Sequence, residues 1–339
     1  MANIHKLNPH DINNRDKNMN ITIDEASRKL RLLLDEAVRR NLTDGILLSG
    51  GLDTSVLAKV ASEYVSLKAF TVAFKNTPAP DVEYAKSIAA HLGLKHTTHY
   101  FDENELYHAI SAVIKTMKSF DPHVIRNSAP LFIGLTLAGE EGSNNVMTGE
   151  GCDELFAGYP YLYELEREQL RLELHKLWKI GIFPEIDLAN SLGMQAKLPY
   201  LDPKLVSFAM DLDPDLKVRE ERGQKWGKWI VRKAFEDTLP KRIVWRKKMG
   251  AEFGSGTASL TSILNSRISN MEFERKKKKY LDEDGVVIRA KEQLFYYEIF
   301  KSEVGTPPLI EQEGKTCPYC NSSVSIEATY CPTCGAYPL

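Results

Sequence analysis

The sequence contains no apolar run near the roughly 20 residues that a helix needs to cross a membrane. Its N-terminal stretch is polar and lacks the apolar core of a signal peptide. We therefore expect a cytoplasmic protein without a membrane partner, in which residues 1–21 form a mobile leader. An excess of charge is also missing, because the formal net charge of −2 over 339 residues favours neither nucleic acid nor an anionic surface as partner of the whole molecule.

Cysteine is scarce, with five in the chain, and four of them fall within the last 23 residues. Two C-x-x-C pairs, Cys317 with Cys320 and Cys331 with Cys334, have the spacing of a tetrahedral Zn²⁺ site rather than of a disulfide framework. Because protein ligands would fill all four positions, we interpret the site as structural, in a segment too short to fold without metal. A redox pair or unliganded thiols are the alternative.

What the sequence does contain, over residues 22–160, is an alternation of short apolar strands with helices. The strands are predicted at 46–48, 67–74, 95–101 and 145–148, and the helices at 22–40, 54–64, 81–91, 104–118 and 129–139. This alternation indicates right-handed βαβ units and a parallel, doubly wound α/β sheet. Ligands of such sheets bind beyond the carboxyl ends of the strands, so the loops that follow residues 48 and 147 should open on the same edge.

The pattern changes after residue 160. Residues 161–304 read as a helical half that should complete the site. Its helices are predicted at 162–178, 186–192, 225–236 and 290–301. Glycine and proline indicate a linker at 305–314, and a zinc ribbon would occupy 315–339. A basic run at 275–279 is typical of a solvated helix face, with a nucleic-acid contact as the alternative.

The loop Ser49-Gly-Gly-Leu-Asp53-Thr54 lies between the first predicted strand and its helix. Such a loop points several backbone N–H groups at one spot, which favours a polyanion, although tight turns also use glycine without any ligand. The Gly-Lys-Ser/Thr ending of a Walker loop is absent. Asp53 would repel a phosphate unless a divalent cation lay between them, and Mg²⁺ suits one or two carboxylates plus phosphate oxygens. Asp153, in a second small-residue loop at 149–159, offers the other carboxylate; a helix N-cap is its alternative role.

Several stretches, in one order, resemble a known family. SGGLDT at 49–54 resembles the SGGxDS pyrophosphate loop of the N-type ATP pyrophosphatases. GEGCDELFAGY at 149–159 resembles the GEGSDE-(L/V)-F-x-G-Y motif of the synthetase domain of asparagine synthetases. AKLPYLD at 196–202, KWIVR at 228–232 and WRKK at 245–248 resemble the family's A-R-V-P-F-L-D, K-x-x-L-R and W-R-x-K stretches. The resemblance spans residues 22–260 and implies the PP-loop fold, ATP as substrate and an AMP-forming ligase reaction.

The resemblance also implies a nucleotide site built from both loops. Backbone groups of Leu47 and Val72 would hold the adenine and ribose, with Thr148 and Gly149 alongside. The residues that would cradle the β,γ-pyrophosphate are Ser49, Gly50, Gly51, Asp53 and Thr54.

Charged residues carry the catalytic roles that the resemblance implies. Asp53 and Asp153 would bind Mg²⁺ between them. Lys228 and Lys248 match two lysines that neutralise the pyrophosphate and the charge developing at the α-phosphorus. Glu150 matches the glutamate that handles ammonia and its proton in the second half-reaction. For that role we expect Glu150 to be ionised, its pKa kept low by nearby lysine and Mg²⁺.

The sequence departs from the family at three points. Glutamine-hydrolysing members have a catalytic cysteine after the initiator methionine and a glutaminase domain, whereas residue 2 is Ala2 here. We therefore expect free ammonia, another amine, or ammonia from a separate glutaminase or carrier chain. The family's D-x-x-R segment falls at 182–187, which has no arginine, and this puts aspartate in doubt as the acid. Thr54 and Cys152 replace serines; Thr54 keeps a hydroxyl, and we interpret Cys152 as a small packing residue rather than a nucleophile.

Three functions fit these residues. The first, which we predict, is an ATP-dependent, AMP-forming amide ligase of asparagine synthetase type in amino-acid biosynthesis, acting on a small carboxylate and ammonia or an amine. The second is a PP-loop enzyme that modifies tRNA, with the ribbon and residues 275–279 as nucleic-acid contacts. The third is a nucleotide-binding regulatory or scaffold protein without turnover.

Overall fold

The structure is a computed structural model that describes residues 21–181, 183–308 and 314–339. The predicted leader, apart from Ile21, and the linker residues 309–313 lie outside the described residues. Within the described ranges, no helix is long and apolar enough to cross a membrane.

Five parallel strands form the central sheet. They are β1 (Gly45–Leu47), β2 (Lys68–Phe74), β3 (Lys95–Phe101), β4 (Asn145–Met147) and β5 (Gln195–Lys197). Their order is β3-β2-β1-β4-β5, so the chain winds outward from β1 in one direction and then continues from β4 in the other. This confirms the predicted doubly wound sheet, and the winding direction reverses between β1 and β4, where such sheets bind ligands.

Helices cover both faces of the sheet. Those of the first half are α1 (Ile23–Arg40), α2 (Leu52–Ala61), α3 (Asp81–Leu92), α4 (Glu103–Met117), α5 (Pro122–Glu140) and α6 (Cys152–Phe156). Those of the second half are α7 (Arg167–Ile180), α8 (Pro184–Ser191), α9 (Pro203–Asp211), α10 (Pro214–Lys217), α11 (Trp229–Phe235), α12 (Lys241–Val244), α13 (Ala251–Ser255), α14 (Leu260–Arg267), α15 (Asn270–Asp284) and α16 (Lys291–Glu303). Short 3-10 segments lie at Pro160–Glu164, Pro199–Leu201 and Thr257–Ser259.

The sheet separates two apolar clusters. Ile46 of β1 packs with buried residues of α1, α2, α3, α9 and α11 in the first cluster. Val146 of β4 packs with buried residues of α4, α5, α8 and α16 in the second. At the start of α1, the backbone N–H of Thr22 donates to the Glu25 carboxylate at 2.9 Å, which is half of the capping box that the sequence predicts.

One helix of the first half is longer than predicted. The helix expected at 129–139 begins at Pro122, because Asp121 accepts a hydrogen bond from the backbone N–H of His123 at 2.9 Å and caps it. Pro130 lies inside this helix, where it removes one backbone donor.

The second half is less purely helical than predicted. Residues 195–197 form β5, which extends the sheet beside β4. An antiparallel hairpin of β6 (Arg219–Glu221) and β7 (Gln224–Trp226) delays the helix predicted at 225–236, which starts only at Trp229. The single helix predicted at 162–178 is a 3-10 segment followed by α7. The strands β5 (Gln-Ala-Lys), β6 (Arg-Glu-Glu) and β7 (Gln-Lys-Trp) are short and largely polar, so they lack the apolar pattern from which β1 and β4 were predicted.

The C-terminal ribbon packs against the rest of the molecule. It contains β8 (Lys315–Thr316) and β9 (Ser323–Val324), and its buried cysteines belong to the second apolar cluster together with α4, α5 and α16. The backbone N–H of Phe120 donates to the Thr333 carbonyl at 2.7 Å. The Gln293 side-chain amide donates to the Cys334 carbonyl at 2.8 Å. The domain boundaries at residues 160, 304 and 314 stay predictions, but the ribbon shares a core with α5 and α16.

Candidate active site

The loop between β1 and α2 has a shape that requires glycine. Gly50 has a φ of +65°, and a Cβ at this position would lie 2.3 Å from the backbone nitrogen of Ala85 in α3. The backbone N–H of Gly51 donates to Ser49 Oγ at 3.2 Å, and Ser49 Oγ lies 3.2 Å from Thr54 Oγ1. Gly51 provides no side chain to cap α2, so the first N–H groups of this helix face the loop as donors for an anion.

Arg246 holds this loop against α3. Its Nη1 donates to the Ser49 carbonyl at 3.1 Å and its Nη2 to the Asp81 carboxylate at 2.5 Å, while the guanidinium lies 3.9 Å from the centre of the Tyr84 ring. Burial raises the pKa of Asp81, and the charge of Arg246 opposes that rise. The sequence analysis assigned no role to Arg246. Its position inside the W-R-x-K motif, between Trp245 and Lys248, is the feature from which a role could have been predicted.

The second loop, between β4 and α6, meets the first directly. The backbone N–H of Thr148 donates to the Lys197 carbonyl of β5 at 3.0 Å, which continues the sheet into the loop. A Cβ at Gly149 would lie 3.0 Å from the Asp53 Cβ and 3.0 Å from Thr54 Cγ2. The two loops are therefore in contact at the same edge of the sheet, as predicted.

Leu47 and Val72 lie together on the face of the sheet that α5 covers. A Cβ at Gly134 of α5 would be 3.2 Å from Leu47 Cδ2 and 3.8 Å from Val72 Cγ1. Because Gly134 has no side chain, the strand ends of β1 and β2 approach this helix closely. The backbone of these two residues stays our predicted contact for adenine and ribose.

Two lysines and two aspartates meet where the loops touch. Lys228 Nζ lies 2.6 Å from Asp53 Oδ2 and 2.7 Å from Asp153 Oδ1, and Lys248 Nζ lies 2.6 Å from Asp153 Oδ2. Burial alone would lower the pKa of Lys228, but the charges of Asp153 and Asp53 outweigh it and raise the pKa well above its usual value. Burial would raise the pKa of Asp153, yet Lys228 and Lys248 hold it well below its usual range. Asp153, Lys228 and Lys248 are therefore ionised near neutral pH.

The backbone around Lys228 is adapted to this cluster. Lys228 has a φ of 54° in the residue before α11, and its backbone N–H donates to the Phe156 carbonyl of α6 at 2.8 Å. A Cβ at Gly158 would lie 1.7 Å from Asp153 Oδ1 and 2.4 Å from the Lys228 Cε. The glycine of the second motif thus leaves room for the lysine to reach the aspartates.

The aspartates have the arrangement that a divalent cation requires. Both carboxylates contact the same ammonium group, so they are close enough to share a cation. Asp53 Oδ1 is buried and has no hydrogen-bond partner among the described residues. The N-cap alternative for Asp153 is not supported, because the N-cap of α6 is Gly151 and no side chain caps this helix. Asp53 and Asp153 therefore fit Mg²⁺, the hard cation that carboxylates and phosphate oxygens prefer.

Glu150 differs from what the sequence predicts. We expected lysine and Mg²⁺ to keep its pKa low, but the lysines are engaged by Asp53 and Asp153. Burial raises the pKa of Glu150 well above its usual value, and the neighbouring carboxyl group of Glu185 raises it further. The described residues therefore raise the pKa of Glu150, which is opposite to the direction predicted. Glu185, on α8, was missed although it lies inside the segment 182–187, because that segment was compared with the family only for its missing arginine.

Cys152 is fully buried beside the first loop. Burial and the charge of Asp53 raise the pKa of its thiol well above the usual value, so the reactive thiolate is disfavoured. The neighbouring Tyr200 is also fully buried, and its hydroxyl donates to the Asp53 carbonyl at 3.2 Å. These contacts favour the interpretation of Cys152 as a packing residue.

The four ribbon cysteines form a compact sulfur cluster. All are buried, none forms a disulfide, and their Sγ atoms lie within 4.8 Å of one another. The Sγ atoms of Cys317 and Cys334 are 3.7 Å apart, as are those of Cys320 and Cys331. Zinc–sulfur bonds of about 2.3 Å in a tetrahedron place sulfurs about 3.8 Å apart, so this cluster fits Zn²⁺.

The basic run at 275–279 lies on α15 and is balanced by acidic neighbours. Lys276 Nζ lies 2.9 Å from both Glu272 and Glu298, and Lys278 Nζ lies 2.9 Å from Asp282. The ribbon, residues 315–339, carries Lys315 and Glu327 as its only charged side chains. Neither surface has the unbalanced positive charge that nucleic acid attracts, so these observations favour the solvated-face interpretation over the tRNA contact.

The chain is similar in sequence to proteins of one known family. The asparagine synthase family model matches residues 29–183 and 167–305. The glutamine-hydrolysing asparagine synthetase of Sandersonia aurantiaca is 33% identical over 245 residues, which is 66% of this chain and 46% of that protein. The nodule enzyme of Pisum sativum, also a glutamine-hydrolysing asparagine synthetase, is 34% identical over 253 residues, 67% of this chain and 42% of that protein. The chain thus spans less than half the length of these relatives. A structure of NMN synthetase from Francisella tularensis has a TM-score of 0.39 and 15% identity, covering 87% of this chain and 99% of that chain.

Proposed function

The chain belongs to the asparagine synthase family, and from this premise we propose that it is an ATP-dependent, AMP-forming amide ligase. It would adenylate a small carboxylate and transfer ammonia or an amine to the acyl adenylate. The observation that supports this most directly is the contact of the two loops around Asp53, Asp153, Lys228 and Lys248, because this cluster brings cation ligands and fixed positive charge to one point.

In the first half-reaction the substrate carboxylate attacks the α-phosphorus of ATP and pyrophosphate leaves. The N–H groups of the Gly50–Gly51 loop and the start of α2 would bind the β- and γ-phosphates. Mg²⁺ held by Asp53 and Asp153 would neutralise phosphate charge. Lys228 and Lys248 stay protonated in the site, so they can turn from the aspartates to the triphosphate and stabilise the charge that develops at the α-phosphorus.

In the second half-reaction an amine attacks the acyl carbon and AMP leaves. Glu150 lies at the second loop, next to the residues that would hold the nucleotide. Its raised pKa makes it a stronger base than an exposed glutamate once it is ionised, which suits the acceptance of a proton from the incoming nitrogen.

Exchange of labelled pyrophosphate into ATP tests the proposal. With Mg²⁺ and a panel of carboxylic acids, aspartate included, we expect exchange that depends on one acid. Exchange with none of the acids would count heavily against an adenylating ligase, and ADP formation in place of AMP would contradict it.

The division of roles can be tested with two variants. Asp53→Ala should abolish exchange, because it removes a cation ligand and an anchor of Lys228. Glu150→Gln should lose amide formation while it retains much more of the exchange. An equal loss in both assays would contradict the assignment of Glu150 to the second half-reaction.

The zinc ribbon would be structural in this enzyme. Its sulfurs lie in the apolar cluster that also contains α8 and α5, so bound Zn²⁺ would stabilise the helices on that face of the sheet.

A further inference from the structure

The KWIVR stretch ends in a buried arginine, Arg232. It lies in α11, one turn after Lys228, and is only 3% exposed. Its Nε donates to the Gly227 carbonyl at 2.9 Å and its Nη1 to the Arg246 carbonyl at 3.1 Å. Its Nη1 also donates to the Val244 carbonyl. One guanidinium therefore joins two separate segments of backbone.

These two segments carry the lysines of the candidate site. Gly227 comes immediately before Lys228, and Arg246 comes two residues before Lys248. Because a guanidinium is planar and its donors are fixed in a fork, it holds its acceptors at set distances from one another. A lysine has a single nitrogen on a flexible stem and cannot hold all three carbonyls in one fixed arrangement. Arg232 therefore sets the spacing between the backbone segments of the two lysines.

The same two segments are tied to the loops of the site. The Arg246 side chain donates to the Ser49 carbonyl of the first loop at 3.1 Å. The backbone N–H of Lys228 donates to the Phe156 carbonyl at the end of α6 at 2.8 Å. A displacement of either segment would therefore move a lysine relative to the loops that would bind the phosphates.

Stability alone does not account for the charge of Arg232. Its hydrogen bonds go to backbone carbonyls and not to a carboxylate. The guanidinium lies 4.8 Å from the centre of the Trp226 ring and 6.0 Å from that of Trp245. Burial lowers the pKa of Arg232, but a guanidinium stays protonated at neutral pH. A buried charge without a carboxylate partner costs free energy, so packing alone would favour an apolar side chain here.

We propose that Arg232 is a positioning residue, whose guanidinium holds Lys228 and Lys248 at the separation that stabilises the charge developing at the α-phosphorus. This inference rests on the proposed function and adds a residue to its first half-reaction. Arg232 acts through the lysines rather than on a phosphate. Its loss should therefore lower the maximal rate of pyrophosphate exchange more than it raises the KM for ATP, because the loops and Mg²⁺ bind ATP in the ground state.

A conservative substitution tests the span of the guanidinium. Arg232→Lys keeps the charge but not the fork, and we expect the maximal exchange rate to fall at least about tenfold while the KM for ATP changes less than about threefold. Arg222→Lys is the matched control. The Arg222 guanidinium lies 4.5 Å from the centre of the Trp245 ring, but its side chain is 47% exposed and pairs with Glu236. This control should change neither value, and an unchanged exchange rate in Arg232→Lys would overturn the proposal.

A double-mutant cycle separates positioning from a general structural effect. If Arg232 acts through Lys248, its substitution should matter less once that lysine is gone. The variant with both Arg232→Lys and Lys248→Ala should therefore exchange within about threefold of Lys248→Ala alone. Losses that multiply in full would assign Arg232 a structural role only and would overturn the proposal.

A binding measurement distinguishes this role from damage to the fold. In calorimetric titration with ATP and Mg²⁺, the Kd of Arg232→Lys should lie within about threefold of that of the unaltered protein. Loss of ATP binding together with exchange would overturn the proposal.

If Arg232→Lys does not fold, Arg232→Gln, whose amide keeps two N–H donors, takes its place in both tests with the same expected results. If neither variant folds, Arg232 is a structural residue and the proposal is wrong. Failure of the proposed function appears differently, as the absence of exchange by the unaltered protein with every acid.

Discussion

The two sides of the candidate site differ in whether their buried acidic groups are paired with lysine. On the nucleotide side, Asp53 and Asp153 each lie within 2.7 Å of the Lys228 ammonium, so every negative charge has a positive partner. On the acceptor side, Glu150, Glu154 and Glu185 form no ion pair with a described lysine or arginine, and two of their buried oxygens lack a donor. The first side has a cation beside each carboxylate, although Asp53 Oδ1 lacks a hydrogen-bond partner among the described residues, whereas the second side lacks a positive charge.

This contrast matches the two half-reactions of the ligase activity that we propose. A nucleotide site must hold many phosphate charges and keeps its lysines protonated through ion pairs until the ligand arrives. An acceptor site must draw in a nitrogen that carries protons and then remove one of them. The same sheet edge can serve both because the nucleotide side is built by motif residues and the acceptor side also uses α8.

The largest expected effect comes from removal of the lysine that pairs with both aspartates on the nucleotide side. Lys228→Ala leaves Asp53 and Asp153 facing each other without their shared cation, which should cost about 3–5 kcal/mol of stability. Exchange should fall about 10²- to 10³-fold, because one charge that stabilises the reaction is lost. Urea unfolding and exchange measure the two effects.

Lys233→Ala is the matched control, since Lys233 lies on α11 and pairs with Glu236 near the surface. Its loss should cost less than about 1 kcal/mol and leave exchange intact. Similar losses of stability and exchange in the two variants would show that the contacts of Lys228 contribute no more than an ordinary surface ion pair.

Removal of zinc should affect the acceptor side more than the nucleotide side. The ribbon cysteines share an apolar cluster with Leu188 of α8, whereas α2 and α11 of the nucleotide side belong to the other cluster. With a chelator or with Cys331→Ser, we expect a lower Tm and weaker amide formation before ATP binding is lost. Metal analysis measures the zinc content, and calorimetric titration measures ATP binding. A loss of ATP binding before amide formation weakens would contradict the prediction.

The dependence of stability on pH tests the acceptor side without any ligand. The pKa of Glu150 is raised in the folded protein above the ordinary value of 4.5, so the folded state binds more protons than the unfolded state above that pH. Stability from Glu150 is therefore complete at low pH and is lost as pH rises towards the folded pKa, by up to about 1.4 kcal/mol per pH unit.

Glu185→Gln should reduce this slope, because it removes the neighbouring carboxyl group that, together with burial, raises the pKa of Glu150. Urea unfolding at about pH 5 to 8 gives the difference between the two proteins. Parallel stability curves for the variant and the unaltered protein would contradict an effect of Glu185 on the pKa of Glu150.

The smallest effect is expected far from either side. Lys278→Gln on α15 breaks an exposed pair with Asp282 and should change stability by no more than about 0.5 kcal/mol. Affinity for tRNA should be absent before and after the change. Tight, steeply salt-dependent binding of tRNA that weakens in the variant would instead favour the nucleic-acid role.

The sequence predicts the nucleotide side well, because its residues are consecutive in short loops. Spacing alone places Asp53 and Asp153 at one sheet edge, and motif context identifies Lys228 and Lys248. It does not predict the short strand β5 or the position of Lys228 before α11, since Gln-Ala-Lys lacks an apolar run and a single positive-φ residue leaves little pattern. Nor does it predict the pKa of Glu150, because that value depends on Glu185, which folding brings from 35 residues away.

Transfer of an isotope tests the central claim of acyl adenylation most directly. When the acid that supports exchange is labelled with ¹⁸O in its carboxylate and supplied with ATP, Mg²⁺ and ammonium chloride, one labelled oxygen should appear in the phosphate of AMP. That result requires the carboxylate to attack the α-phosphorus. AMP without label, or label found in ADP or inorganic phosphate, would contradict the account.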